Sequence, residues 1–146
     1  MLAVVQFIAI LSVAIFAGAA IYINVAEHPA RMGCDTKTAA TVWAPSYKRA
    51  YVMQASLAVM GFISGLTVWF LKGSILWLLG ATCIGAVIPF TFMVIMPTNQ
   101  QLLAPERDLS STETRELLVK WGNLHAVRSI LSFIALVIYV ALSLKA

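Results

Sequence analysis

Charges are clumped along this chain, and long runs between the clumps carry none. Met1 to Ala26 is uncharged, as are Ala50 to Leu71 and Gly73 to Pro105. A helix that crosses a bilayer needs about 20 apolar residues, because each residue rises about 1.5 Å and the hydrocarbon core is about 30 Å thick. The pattern predicts four spans, over residues 2–26, 50–71, 74–96 and 117–144. The fourth reaches spanning length only by carrying His125 and Arg128 into the membrane edge. The predicted fold is all-α: one antiparallel four-transmembrane-helix bundle over residues 1–146, with a polar site at the face bearing loops one and three.

Local signals refine these elements. Lys72-Gly73-Ser74 is short enough to force a hairpin between spans two and three. Ala14 and Gly18, Gly61 and Gly65, and Ala81 and Gly85 are spaced for close helix packing, and Gly61-x-x-x-Gly65 could also form a homodimer face. Pro89 should kink span three, and Pro97 should end it. Ser110 to Glu113 fits a capping box that restarts the chain as a helix near residue 111. Trp43, Trp69, Trp77 and Trp121 fall near span ends, where interfacial anchoring is expected. Ala17-Gly18-Ala19-Ala20 would suit signal cleavage, but no Lys or Arg precedes the first run, and a mature span fits better.

Composition agrees with lipid as the main solvent. Apolar residues make up 61% of the chain and charged residues 11%, whereas soluble domains carry about 25% charged residues. The net charge of +4 comes mostly from loops one and three. By the positive-inside rule those loops are cytoplasmic and both termini lie outside, with Lys72 and Lys145 on the opposite side. No basic, aromatic-studded polar surface suggests nucleic acid. Cys34 and Cys83 are too far apart in the predicted topology to meet, and no C-x-x-C motif is present.

The polar residues inside the apolar pattern converge on one membrane face. Span one ends with Tyr22, Asn24, Glu27, His28 and Arg31. Span three ends with Pro97-Thr98-Asn99-Gln100, and span four begins with Trp121, Asn123, His125 and Arg128. Tyr47, Lys48, Arg49 and Gln54 join them. Trp121, His125 and Arg128 share one helical face and should point into the bundle, since an ionisable group facing lipid costs several kcal/mol. Asn24, Glu27 and Arg31 share a face of span one, although Pro29 should end that helix near Glu27 and swing His28 and Arg31 inward. Glu27 is the expected counter-ion of Arg128. A structural pin between spans one and four explains these residues in part, but two histidines, a carboxylate and an arginine at one depth exceed what packing requires. Metal ligation by His28, His125 and Glu27 is disfavoured because adjacent helical residues diverge by about 100°, and a haem between the histidines is a minor alternative. Metal-free acid–base work on a flat apolar molecule drawn from the bilayer is the stronger reading, with His125 as base and Arg128 stabilising the anion.

Four blocks carry a family likeness. They are Ala17-Gly18 with Asn24-x-x-Glu27-His28-Pro29-x-Arg31; Trp43-x-x-x-Tyr47-Lys48-Arg49-Ala50-x-x-x-Gln54; Pro97-Thr98-Asn99-x-x-Leu102; and Trp121-x-x-x-His125-x-x-Arg128-Ser129. In this order they resemble the anthrone oxygenase family, which also contains many uncharacterised bacterial four-span proteins. The resemblance implies oxidation of an anthrone-type aromatic polyketide to an anthraquinone by O2, with no flavin, haem or metal required. It does not assign catalytic residues. Residue chemistry makes His125 the base, charged or oriented by Glu27 with His28 nearby, and has Arg128 hold the anthrolate oxygen. Asn24 or Asn99 would hold the peroxide, Trp121 and Tyr22 would stack on the rings, and Arg31 would assist binding. Two other classes stay open at this point: a non-enzymatic membrane subunit or scaffold, and a haem- or quinone-linked electron carrier.

Overall fold

A computed structural model describes residues 1–144. Lys145, counted above among the cations of the opposite side, lies outside the described residues. The described residues form four long helices and no strand: α1 (Leu2–Met32), α2 (Thr36–Lys72), α3 (Ile75–Leu102) and α4 (Thr112–Ser143). Each is long and apolar enough to cross a membrane, and the chain is an integral membrane protein.

The helices form a ring in which α1 and α3 each pack on both α2 and α4. Contacts between neighbours run in opposing chain order. Along α1 and α2, Ser46 meets Glu27 and Gly61 faces Val13. Along α1 and α4, Asn24 meets Gly122 and Phe16 lies under Arg128. The hairpin between α2 and α3 turns at Gly73, whose φ of 68° is the left-handed conformation that favours glycine.

The helices are longer than the predicted spans, so loop one shrinks to Gly33-Cys34-Asp35. Asp35 caps α2: its carboxylate accepts from the Thr38 hydroxyl at 2.6 Å and the Thr38 amide at 3.0 Å. Those two bonds hold the Asp35 carboxyl below the usual carboxylate range. Pro45 sits inside α2 with its ring on the exposed face, where the freed carbonyl need not be buried. On the same side of the bundle, where Arg115 of α4 donates to the Cys34 carbonyl, the cap of α4 falls one residue later than the capping box predicts. The Asp108 carboxylate holds the amide and hydroxyl of Ser110, so Ser111 becomes the cap and accepts from the Thr114 amide at 3.1 Å. Glu113 reaches Arg107 instead.

Two prolines are absorbed in the same way. A π-helical turn over Ile23–Glu27 precedes Pro29, and another over Thr91–Ile95 precedes Pro97. A wider turn accommodates the ring that would otherwise clash with the preceding carbonyl. Neither helix stops where the prolines suggest: α1 continues through His28 and Arg31, and α3 through Asn99.

Packing bears out one further expectation and corrects two. Gly61 and Gly65 face the bundle interior, where a side chain at Gly65 would overlap the Tyr139 ring. Gly18 is exposed and meets nothing, so Val13, Ala17 and Ala20 form the buried seam of α1. Trp43, Trp77 and Trp121 are buried rather than interfacial; Trp77 stacks on Tyr139 with centroids 4.6 Å apart.

The core has two apolar clusters. One contains Ala20, Ala58, Val87 and Ala135, and the other Ile23, Trp43, Ile95 and Trp121. Between them, all four helices place polar side chains: Asn24 on α1, Gln54 on α2, Thr91 on α3, and His125, Arg128 and Ser129 on α4. The polar site is thus a layer inside the bundle, with the cluster that holds Trp43 and Trp121 on its loop-one side.

Candidate active site

The layer is organised around Asn24. Its side-chain amide donates to the Gly122 carbonyl at 2.9 Å. Its oxygen then faces two donors on α4, the Ser129 hydroxyl and Nδ1 of His125, each at 2.7 Å. The arrangement defines the imidazole: an amide oxygen only accepts, so neutral His125 carries its proton on Nδ1 and leaves Nε2 with a lone pair. Among the described residues, no group hydrogen-bonds that Nε2.

Arg128 lies one turn deeper. It donates from a terminal nitrogen to the Gln54 oxygen at 2.7 Å and sits 5.4 Å from the Phe16 ring centroid. Arg128 is 7% exposed and Gln54 1%. The ion pairs among the described residues are Arg31 with Glu27 and Arg107 with Glu113, so Arg128 is a buried cation without a carboxylate. Its Nε and the Gln54 amide nitrogen also lack partners. Such a group costs several kcal/mol unless an anion joins it.

The expected Glu27–Arg128 pair is therefore replaced. Glu27 pairs with Arg31 on its own helix and accepts from the Ser46 hydroxyl at 2.5 Å. The cause is the π-turn, which inserts an extra residue into the turn and breaks the face assumed for Asn24, Glu27 and Arg31. Asn24 contacts His125, the role assigned from sequence to Glu27, and Gln54 contacts Arg128.

His28 packs on α4 beside this group. A Cβ on Gly122 would stand 2.6 Å from the His28 ring, so glycine is what permits the approach. Trp121 lies between the histidines, with its ring 5.2 Å from His28 and 4.9 Å from His125. Arg31 is buried and stands 3.5 Å from His28. Tyr22 is 61% exposed on the outer face of α1, apart from the cluster. Asn99 and Thr98 are buried with unpartnered side-chain atoms but do not line the cleft beside His125. Among the described residues, no three His, Cys, Asp or Glu side chains converge as a metal site.

The cleft beside His125 and Arg128 is about 20 Å³ and is lined also by Arg31, Tyr47, Tyr51, Gln54 and Trp121. A void needs about 10–15 Å³ to admit one water, so this cleft takes a molecule of that size. Gln54, Tyr47 and Ser129 stood out in the sequence without a role, and Tyr51 and Gly122 did not stand out. The signal was present for α2: Trp43, Tyr47 and Gln54 recur at helical spacing on one face.

Comparison with known proteins identifies a family. The anthrone oxygenase family profile matches residues 43–138. Anthrone oxygenase ptaC of Pestalotiopsis fici is 31% identical over 122 residues, covering 73% of this chain and 85% of that protein. Anthrone oxygenase nsrD of Aspergillus novofumigatus is 42% identical over 57 residues, 37% of this chain and 35% of the relative. Anthrone oxygenase tpcL of Aspergillus fumigatus is 42% identical over 48 residues, 31% and 30% of the two chains. The matched segment thus spans about a third of the length of each of the latter two. No solved structure matches the chain. The family profile takes in both the Trp43–Gln54 face of α2 and the Trp121–Ser129 face of α4 that build this site, and the chain belongs to the anthrone oxygenase family.

Proposed function

We propose that this chain is a membrane oxygenase that oxidises an anthrone-type aromatic to an anthraquinone with O2 and needs no flavin, haem or metal. The observation that carries the reading is the buried, unpaired Arg128 one turn from a histidine held as a free base. An anthrone has an acidic methylene conjugated to a ketone. His125 Nε2 takes one methylene proton through a single water in the small cleft. The electron pair left behind delocalises onto the ketone oxygen, where the Arg128 guanidinium and the Gln54 amide donate to it. Stabilising such a developing oxyanion contributes roughly 3–4 kcal/mol per good donor.

The anthrolate is itself the reductant. It transfers one electron to O2, and the radical pair joins at the former methylene carbon as a peroxide anion, which takes back the proton held by His125 through the cleft water to form a hydroperoxide. Loss of water, with cleavage of the O–O bond and departure of the remaining carbon-bound hydrogen as a proton, gives the second carbonyl. One oxygen atom ends in the quinone and the other in water. Trp121 forms part of the cleft wall, Asn24 holds His125 from the facing helix, and the positive-inside bias of loops one and three orients this end of the bundle toward the cytoplasm.

The test is O2 uptake and visible quinone absorption with purified, chelator-treated protein and emodin anthrone. Quinone should form faster than by autoxidation, and His125→Ala and Arg128→Ala should lose that acceleration while still inserting. A wild-type rate equal to autoxidation would end this reading.

A further inference from the structure

The cleft beside His125 is too small for an aromatic ring, yet a second, larger space adjoins it. Between α2 and α3 lies a groove of about 170 Å³ that shares Tyr51, Gln54 and Arg128 with the cleft. Its walls are otherwise apolar except for Thr91, whose hydroxyl donates to the Val87 carbonyl, with Ala58 and Val87 deep inside. Its rim is Val59, 44% exposed, and Phe92, 54% exposed, both on spanning helices and so facing lipid rather than water.

We propose that this groove is the lateral entry and ring-binding site for the substrate, filled from the bilayer rather than from a loop end; the inference rests on the oxygenase reading above. Three observations define the occupant. The walls take an apolar surface. Arg128 and Gln54 line the inner end, and each carries a buried, unpartnered nitrogen donor, so the occupant presents an acceptor oxygen there. The volume is close to the roughly 150 Å³ of a cavity that holds benzene, so one ring of a fused system enters and the rest lies between Val59 and Phe92. Ala58 leaves room for that ring, and Thr91 on the opposite wall begins the π-turn of α3. Trp43 and Trp121 pack edge to face, with centroids 5.7 Å apart, on the loop-one side of the layer.

The experiment measures binding of the hydroxyanthraquinone emodin by its visible spectrum, alongside quinone formation from emodin anthrone, in nanodiscs. Ala58→Phe fills the groove from inside and Val59→Trp narrows it from the lipid side. Each should weaken binding and turnover by about tenfold or more, the scale set by shape mismatch in an apolar pocket. Gly18→Leu, on an open outer face, should match the wild type. If Ala58→Phe fails to fold, Val59→Trp decides. Folded groove variants that bind and turn over like the wild type overturn the lateral route and leave the oxygenase reading standing. A wild type that binds emodin with the expected variant pattern but forms no quinone keeps the groove and removes the reaction. A wild type that does neither overturns both.

Discussion

The oxygen of Asn24 stands 2.7 Å from Nδ1 of His125, and it stands there because the same side chain's nitrogen is bonded to Gly122 O. The two bonds together leave the amide a single consistent orientation. They also leave the imidazole a single neutral tautomer, with Nε2 as the basic atom. A base positioned this way sits on a rigid helix and is steered from the facing helix rather than by a charged partner.

Under the proposed mechanism, that relationship makes Asn24 a positioning residue. Asn24→Leu should slow quinone formation by about 10- to 100-fold, the scale of a misplaced catalytic group, with little change in KM. Because an Asn24 acting only as structural glue would also lower stability, the decisive readout is the imidazole itself. Nitrogen NMR of His125 should show one neutral tautomer in the wild type and a mixture in Asn24→Leu. A single tautomer in both would remove the steering role.

Arg128 separates function from stability. Replacing a buried, unpaired cation with an apolar side chain of similar volume is often neutral or stabilising. Arg128→Met should therefore keep or raise the thermal midpoint in detergent while lowering the rate about 10²- to 10³-fold. A sharp fall in the midpoint would instead make Arg128 a structural pin.

Gly122 carries the contact between α1 and α4. Gly122→Ala places a methyl group 2.6 Å from the His28 ring, and such overpacking costs about 1–3 kcal/mol. The thermal midpoint should drop clearly, while Gly18→Ala, which meets nothing within 4 Å, should leave it unchanged. Equal midpoints for the two variants would mean that His28 moves aside freely.

Metal removal should be silent. Dialysis against a strong chelator should leave the rate of quinone formation unchanged, and labelled O2 should deliver one labelled oxygen to the quinone. A rate that falls on chelation and returns with one added metal would replace the anthrolate-to-oxygen electron transfer with metal chemistry.

The cap of α4 offers a check on stability alone. Ser111→Ala removes the acceptor of the Thr114 amide and should destabilise the fold by about 1 kcal/mol. Ser110→Ala should cost less, because Ser110 is held by Asp108 outside the helix. The reverse order in thermal unfolding would return the cap to the position the capping box predicts.

Hydrophobic runs and their lengths were enough to read four spanning helices and the side of the bundle that carries polar groups, because lipid tolerates only long apolar helices with their backbone bonds satisfied internally. The identities of His125, Arg128, Asn24 and Gln54 at one depth were legible for the same reason: ionisable groups within such helices turn inward. Their pairing was not. Pro29 read locally is a helix stop, but neighbouring helices hold the chain through a π-turn, and that turn moved Glu27 onto Arg31 and left Asn24 to face His125. Likewise, Trp43, Trp77 and Trp121, read as interface anchors, became core, and the groove between α2 and α3 exists only where Ala58 and Val87 from two helices meet. Sequence alone determined which groups share a layer, since depth follows from position along a straight span. Only the tertiary structure decided which of them touch, since rotation about each helix axis depends on turns and packing that no single segment encodes.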